Sequence, residues 1–142
     1  MEDISPKSDA ATMPSSKRRI LLVEDDTFIS DIYQTKLDLE GFEVIAAMNG
    51  LDAIKELESG IVPDLVLLDI IMPYMDGMEV LRAIKAKPEW QKIPIILLTN
   101  LSNREQIDEC LQLGANDYLI KSHFTPTEVT KKINALIGGN PA

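Results

Sequence analysis

The stretch LVLLD, residues 65–69, consists of four consecutive apolar residues followed by an aspartate. Three other short apolar runs in the chain also end on polar side chains. They are residues 21–23 before Glu24 and Asp25, residues 95–98 before Thr99, and residues 118–120 before Lys121. Continuous apolar runs of this length are typical of strands buried on both faces of a parallel sheet. If the four runs are parallel strands, their polar ends lie together at one edge of the sheet, where open α/β sheets bind ligands.

The rest of the chain alternates between short apolar runs and stretches with the apolar spacing of a helix. Strands are predicted over residues 19–23, 42–46, 65–68, 93–98 and 117–120, and helices over 27–40, after Asn49, over 78–87, after Ser102 and over 126–137. Parallel strands joined by helices form a sheet that is covered on both faces. We therefore expect an α/β fold, a flavodoxin-like (βα)5 doubly wound parallel sheet with strand order 2-1-3-4-5. In this order the strand of Asp69 lies between the strands that end at Asp25 and Thr99.

Length, charge and cysteine content limit the classes of protein that this chain can be. Its 142 residues carry a formal net charge of −9. We expect one domain over 19–139, a disordered tail over 1–18 and a free end over 140–142. Acidic charge without a basic stripe argues against direct binding of nucleic acid, and no apolar run approaches the roughly 20 residues of a membrane span. A single cysteine, Cys110, excludes an internal disulfide, and without a signal-peptide pattern we expect a cytoplasmic protein.

The polar strand ends are the residue types that phosphoryl transfer to a carboxylate requires. Glu24, Asp25 and Asp69 would repel one another unless a cation neutralises them, and their hard oxygen atoms suit Mg²⁺ (or Mn²⁺). Asp69 is the candidate nucleophile, because aspartate carboxylates form aspartyl-phosphates. Lys121 would supply positive charge to a phosphoryl group, and the Thr99 hydroxyl would donate a hydrogen bond to it. Each residue alone has an ordinary interpretation as a cap, turn or surface group, so the joint pattern is what favours a site.

Four motifs resemble the receiver domains of two-component response regulators. They are ILLVED at 20–25, LLDIIMPYMDG at 67–77, LLT at 97–99 and GANDYLIK at 114–121. The resemblance covers residues 19–137, and it implies that Asp69 is the phosphoacceptor. It also implies that Asp25 and Asp69 bind Mg²⁺ directly, while Glu24 acts through water. The backbone carbonyl of Ile71 is implied as a further metal ligand.

The same resemblance implies a two-state signalling switch. Lys121 would pair with the phosphoryl group, Thr99 would swing toward it, and Tyr118 would turn inward in the same change. The donor would be the phosphohistidine of a sensor histidine kinase or phosphotransfer protein. The fourth helix, fifth strand and fifth helix would form the face that changes and binds a downstream protein target, and a phosphorylation-dependent homodimer is left open. We expect a stand-alone, single-domain regulator of the chemotaxis type, which catalyses its own phosphorylation and is not otherwise an enzyme.

Three features depart from the usual pattern of that family. Ser122 stands where a proline usually follows the lysine, and a cis bond there is not expected because it costs about 2.5–4 kcal/mol without proline. Asn100 stands where a small residue usually follows the threonine, and its bulk would narrow access to the site. Ile71 and Leu101 are apolar and lie two residues after the key aspartate and threonine. Apolar bulk there would exclude or misplace an attacking water, so we expect slow autodephosphorylation.

Other classes of function remain as alternatives. A haloacid-dehalogenase-type phosphatase uses the same aspartyl-phosphate chemistry, but it typically has a second aspartate two residues after the nucleophile, where this chain has Ile71. A flavin-binding module is disfavoured because the acids would repel the flavin phosphate. A receiver-like scaffold that is never phosphorylated stays open because of Ser122 and Asn100. For Asp26, beside the acid pair, we prefer the role of a helix cap.

Overall fold

The computed structural model describes residues 17–100, 104–121 and 125–138 of the chain. The strands within these ranges are β1 (Arg19–Val23), β2 (Glu43–Ala47), β3 (Leu65–Asp69), β4 (Ile95–Thr99) and β5 (Asp117–Ile120). The helices are α1 (Thr27–Leu39), α2 (Gly50–Glu58), α3 (Gly77–Ala86), α4 (Arg104–Leu113) and α5 (Pro126–Ile137). The predicted tail at 1–18, apart from its last two residues, lies outside the described residues, and so does the free end at 140–142. The predictions for Leu101, Ser102 and Ser122 also fall outside them.

The described strands form one parallel sheet in the order β2-β1-β3-β4-β5, which confirms the predicted flavodoxin-like fold. Every residue of β3 and β4 is buried, as the continuous apolar runs predicted. The pairing register places Val23 beside Leu68 and Asp69 beside Leu98. The three central strands therefore end at nearly the same level. Strand order reverses between β1 and β3, and the crevice at such a point is the usual ligand site of an open α/β sheet.

A separate apolar cluster fills each face of the sheet, because successive strand residues point to opposite sides. On one face the sheet packs against α2, α3 and α4, and this cluster includes the buried Cys110. On the other face it packs against α1 and α5. None of the described helices is long and apolar enough to cross a membrane.

Side-chain caps determine where the helices begin. Asp26 and Asn49 each accept a hydrogen bond from the backbone three residues later, at 3.1 and 2.9 Å, which agrees with the expected caps of α1 and α2. Thr125 caps α5. At α3, Asp76 and Glu79 form a reciprocal capping box. The caps satisfy backbone N–H groups that would otherwise lack partners at the helix starts.

Two strands begin later than predicted, and each delay has a local cause. β2 begins one residue later because the N–H of Phe42 donates to the carbonyl of Leu37, which completes the end of α1. β4 begins two residues later because the N–H of Ile93 donates to the carbonyl of Trp90 in a turn. Pro94 then has no N–H to offer the sheet. Apolar residues that close a helix or a turn thus show the same local pattern as strand residues.

Candidate functional site

The carboxyl edge of the sheet carries the polar residues singled out in the sequence. Glu24 and Asp25 directly follow β1, and Asp69 is the last residue of β3. Thr99 is the last residue of β4, and Lys121 directly follows β5. Carboxylate oxygens of Glu24, Asp25 and Asp69 lie within 4.8 Å of one another. The sheet therefore brings together acids that are up to 45 residues apart in the chain.

The three acids differ in exposure and in how the backbone holds them. Glu24 and Asp69 are only 1% and 4% exposed, whereas Asp25 is exposed. Oε2 of Glu24 accepts a hydrogen bond from the N–H of Asp26 at 3.1 Å. Oδ1 of Asp69 accepts one from the N–H of Ile71 at 3.3 Å. The two buried acids are thus oriented by neighbouring backbone, and Asp25 forms the side of the cluster that is open to solvent.

Lys121 joins the two buried acids. Its Nζ lies 2.7 Å from Oε1 of Glu24 and 3.1 Å from Oδ2 of Asp69. Burial by itself would lower the pKa of Lys121, but its contacts with Glu24 and Asp69 outweigh burial and raise that pKa above its usual value. The side chain is therefore a charged ammonium at neutral pH. It supplies the positive charge that the sequence analysis expected at this edge.

The cluster remains acidic even with this lysine. Burial raises the pKa of Asp69 from 3.8 to about 7, and the charge of Glu24 adds to the shift while Lys121 opposes it. Three carboxylates against one ammonium leave an excess of negative charge. Their oxygens are the donors that Mg²⁺ prefers in proteins, so the residues present fit a divalent cation of this kind. The role of the Ile71 backbone carbonyl as a further metal ligand stays a prediction.

A shallow depression of about 270 Å³ opens beside the acids. Besides the acids and Lys121, its lining includes Ile29, Ile71 and Asn100. Ile71 is half exposed, at 50%, so its apolar side chain is available to solvent at the mouth of the site. Asn100 lines the site, as expected from its place after Thr99. The sequence does not predict that Ile29 lines the site. Helical spacing shows which face of a helix is packed, but it does not show which residue of that face reaches the edge of the sheet.

The two predicted switch residues lie outside the acid cluster. Thr99 is buried, and its hydroxyl donates a hydrogen bond to the carbonyl of Asn100 at 3.3 Å. Tyr118 is partly buried and packs against the apolar cluster beneath α2, α3 and α4. Both residues are therefore close to elements that border the site. Their movement on phosphorylation stays a prediction.

Two glycines allow the loop between β3 and α3 to pack closely at the site. A Cβ on Gly77 would overlap the backbone of Asp69, and a Cβ on Gly50 would overlap the carbonyl oxygen of Met75. Between these points Tyr74 has a φ of 67°, in the left-handed region that strains a residue with a side chain. The sequence patterns alone assign no packing role to Gly50 or Gly77. The sequence signal that could have identified both glycines is that each directly follows a helix-capping residue.

Comparison with known proteins identifies this arrangement. A profile described as the response regulator receiver domain matches residues 20–134. The chain belongs to the response regulator receiver domain family. Receiver domains function in two-component signalling and bind Mg²⁺ at an acidic pocket. The family resemblance expected from the four sequence motifs is thus confirmed, and the three acids described above form an acidic cluster at the carboxyl edge of the sheet.

Curated relatives show the same membership. The probable transcriptional regulator ycf27 of Cyanophora paradoxa is 37% identical over 127 residues, which cover 88% of this chain and 50% of that protein. The alkaline phosphatase synthesis transcriptional regulatory protein PhoP of Bacillus subtilis is 36% identical over 124 residues, which cover 84% of this chain and 48% of that protein. The chain thus spans about half the length of the curated relatives it matches.

Solved structures agree with the receiver fold over most of the chain. The receiver domain of a sensor histidine kinase from Pseudomonas aeruginosa, described with a magnesium ion in its active site cleft, has a TM-score of 0.78 and 32% sequence identity. The match covers 87% of this chain and 99% of that one. Chemotaxis protein CheY4 of Vibrio cholerae has a TM-score of 0.77 and 27% identity, with 84% of this chain and 98% of that one covered.

Proposed function

We propose that this receiver domain accepts a phosphoryl group on Asp69 from the phosphohistidine of a sensor histidine kinase or a phosphotransfer protein. The observation that carries the proposal is the position of Lys121, whose Nζ lies 3.1 Å from Oδ2 of Asp69 within a cluster of three acids. Receiver domains interact with kinases or phosphotransfer proteins and with downstream targets. The pairing of a buried carboxylate with an ammonium supports Asp69 as the acceptor, because phosphoryl transfer depends on charge neutralisation and positioning.

In the proposed reaction a carboxylate oxygen of Asp69 forms a bond to phosphorus while the bond from phosphorus to the histidine nitrogen breaks. The imidazole leaves with the electron pair of that bond. Lys121 offsets the negative charge of the transferring group, and the Thr99 hydroxyl donates a hydrogen bond to a phosphoryl oxygen. Asp69 attacks in its ionised form, which the adjacent ammonium of Lys121 favours.

The acid cluster also supports a metal requirement for this reaction. Mg²⁺ (or Mn²⁺), when bound, supplies positive charge that neutralises phosphoryl oxygens. Asp25, Asp69 and the Ile71 carbonyl would hold the ion, with Glu24 acting through water. Asp25 is the exposed member of the cluster and therefore the one accessible to an ion that arrives from solvent.

Phosphorylation would then favour one of two packings of the domain. In the favoured packing Thr99 moves from the Asn100 carbonyl toward the phosphoryl group, and Tyr118 turns inward. The surface formed by α4, β5 and α5 would change with them and bind a downstream protein, or a second phosphorylated copy. An ion pair of 2.7 Å between Lys132 and Asp117 already links α5 to β5 on this surface.

We further propose that this domain acts in the cytoplasm and itself binds a protein rather than nucleic acid. The net charge of −9 and the lack of a basic stripe in the sequence support this assignment. The relatives are described as transcriptional regulators, and they are about twice as long as the matched segment.

The phosphoryl group on Asp69 should be lost slowly, because apolar Ile71 stands half exposed at the mouth of the site. Ile71→Asn should accelerate the loss, since an amide can hold an attacking water. Val62→Asn is a matched control, because Val62 is exposed at the opposite end of the sheet. Decay measured by mass spectrometry in Mg²⁺ buffer tests the idea. Rapid decay of the wild type, with no acceleration by Ile71→Asn, would refute it.

The deciding experiment is the intact mass after incubation with acetyl phosphate and Mg²⁺. The wild type should gain one phosphoryl group, and Asp69→Asn or chelation of the metal should abolish the gain. Asp108→Asn, an equivalent change at an exposed position of α4, should leave it intact. No adduct, together with no binding of beryllofluoride, would favour the unphosphorylated scaffold. Steady release of phosphate with turnover would favour an aspartyl-phosphate phosphatase.

A further inference from the structure

Helix α1 presents an apolar stripe to solvent. Phe28, Ile32 and Leu39 are 73%, 40% and 76% exposed, and the exposed Thr35 lies between them on the same side of the helix. We call these four residues the α1 stripe. They are separated by four, three and four residues, which is the spacing of the a and d positions in a heptad. That spacing is typical of a seam between two packed helices.

The stripe is not needed to hold α1 on its own domain. The buried residues of α1 are Ser30, Tyr33 and Leu37, and two of them belong to the apolar cluster shared with α5. In the same heptad these are b and f positions, on the side of the helix opposite to a and d. The domain is therefore packed without the stripe. Contiguous exposed apolar residues of this kind mark an interaction surface.

The charges beside the stripe indicate which occupant fits. With Ile32 at an a position, exposed Asp31 is at g. The half-buried Lys36 is at e, and its ammonium also pairs with Glu40 of its own helix at 3.1 Å. In a parallel pair of helices, g of one helix lies opposite the following e of the other, and opposite charges there set partner and orientation. A second copy would therefore bring its Lys36 to Asp31 and its Asp31 to Lys36. An antiparallel pair would instead bring g positions together, and both Asp31 and Asp38 are acidic.

We propose that two copies of this chain pair in parallel through the α1 stripe, about a two-fold axis that runs along the helices. The pairing does not rest on the proposed phosphorylation, because α1 carries its complementary charges whether or not Asp69 is modified. It also differs from pairing through α4, β5 and α5, which depends on the phosphoryl group. Four residues from each copy form less than the roughly 800 Å² per partner of a standard interface, so the dimer is weak and its population depends on concentration.

Sedimentation of the full chain over about 10 to 500 µM, with chelator and without phosphodonor, tests the pairing. The average mass should rise from 15.8 kDa toward twice that value as concentration increases. Ile32→Glu should remain monomeric throughout. Leu51→Glu, at an apolar residue of α2 that is 50% exposed, is the matched control and should pair like the wild type. Circular dichroism establishes that both variants are folded.

A charge exchange tests the occupant and its orientation. Asp31→Lys and Lys36→Asp should each weaken pairing by about threefold to tenfold, and the double variant should recover it. Asp69→Asn should pair like the wild type, which separates this interface from the phosphorylation-dependent one. A wild type that stays at 15.8 kDa at every concentration would overturn the proposal, even if the stripe then proved to bind a helix of a phosphodonor. Failure of the double variant to recover pairing would overturn the parallel arrangement.

Discussion

The two ends of the sheet carry the same kinds of charged side chain in different surroundings. At the carboxyl end Lys121 bridges Glu24 and Asp69, and these side chains are 16%, 1% and 6% exposed. At the amino end Arg19 pairs with Glu43 at 3.2 Å, and both side chains are 42% exposed. The distances are similar, but water reaches one pair freely and is largely excluded from the other.

This difference in exposure decides what the charges contribute. An exposed ion pair is worth about 0–1 kcal/mol, because water and salt screen it. Buried charges lose hydration, and their attraction restores that loss only when every charge has a partner. The ion pair at the amino end therefore contributes little to the free energy of unfolding. The carboxyl end has an excess of negative charge, which without a bound cation makes folding less favourable. The same excess favours the binding of a cation beside a phosphoryl group.

Removal of Lys121 should change stability more than the other substitutions at the two ends of the sheet. Lys121→Met keeps the length of the side chain but leaves Glu24 and Asp69 without their ammonium. We expect a loss of about 3–5 kcal/mol in the free energy of unfolding, measured with urea in metal-free buffer at about pH 8. Lys92→Met, at an exposed position, is the control and should change little. A loss below about 1 kcal/mol would show that the two buried acids do not depend on Lys121.

Neutralisation of Asp69 should instead increase the free energy of unfolding. Its pKa is raised to about 7, so the folded state takes up a proton that the unfolded state releases near 3.8. Wild-type stability should therefore fall as pH rises from about 4 to about 7, and this carboxyl group should cause no further loss above that. Asp69→Asn removes that loss and should be more stable than the wild type by up to about 4 kcal/mol above about pH 7 in metal-free buffer. The difference should disappear below about pH 4. Urea unfolding at several pH values measures it, and an Asn variant that is less stable at high pH would contradict it.

Packing at the carboxyl end should also affect stability, but less than the charges there do. Gly50→Ala pushes a methyl group against the Met75 carbonyl, so it should destabilise the protein by about 1–2 kcal/mol and displace the loop that follows Asp69. We expect the affinity for Mg²⁺ to fall by about tenfold. The shift in melting temperature during a metal titration measures this affinity. Gly60→Ala is the control, because Gly60 has open space around it and lies far from the loop. The control should lose stability through its positive φ without any change in Mg²⁺ affinity.

The smallest effect is expected at the amino end. Glu43→Gln is the same acid-to-amide change as Asp69→Asn, but it removes an exposed ion pair with Arg19. The free energy of unfolding should change by about 0–0.5 kcal/mol, with little dependence on pH. Urea unfolding of both amide variants under the same conditions gives a direct comparison. Equal effects at the two ends would mean that burial does not distinguish them.

Much of the fold could be predicted because its signals are local. Continuous apolar runs marked the buried strands, and cap residues such as Asp26 and Asn49 marked helix starts. Where the prediction was wrong, a local apolar residue had a different tertiary role. Phe42 closes the end of α1, and Ile93 lies in a turn before Pro94. Apolar character shows that a side chain is buried, but it does not show in which element.

The sequence alone determined the alternation of strands and helices and the set of polar residues at the carboxyl edge, because both follow from periodicity and from the polar residue that ends each run. The strand order was expected from the flavodoxin-like fold class that this alternation indicates. Only the tertiary structure decided how these residues meet. It placed Lys121 within 3.1 Å of two acids, and it buried Asp69 enough to raise its pKa to about 7. It also showed that Gly50 must lack a side chain for the loop to pack. Distances and desolvation depend on how segments far apart in the chain pack together, and no local pattern contains that information.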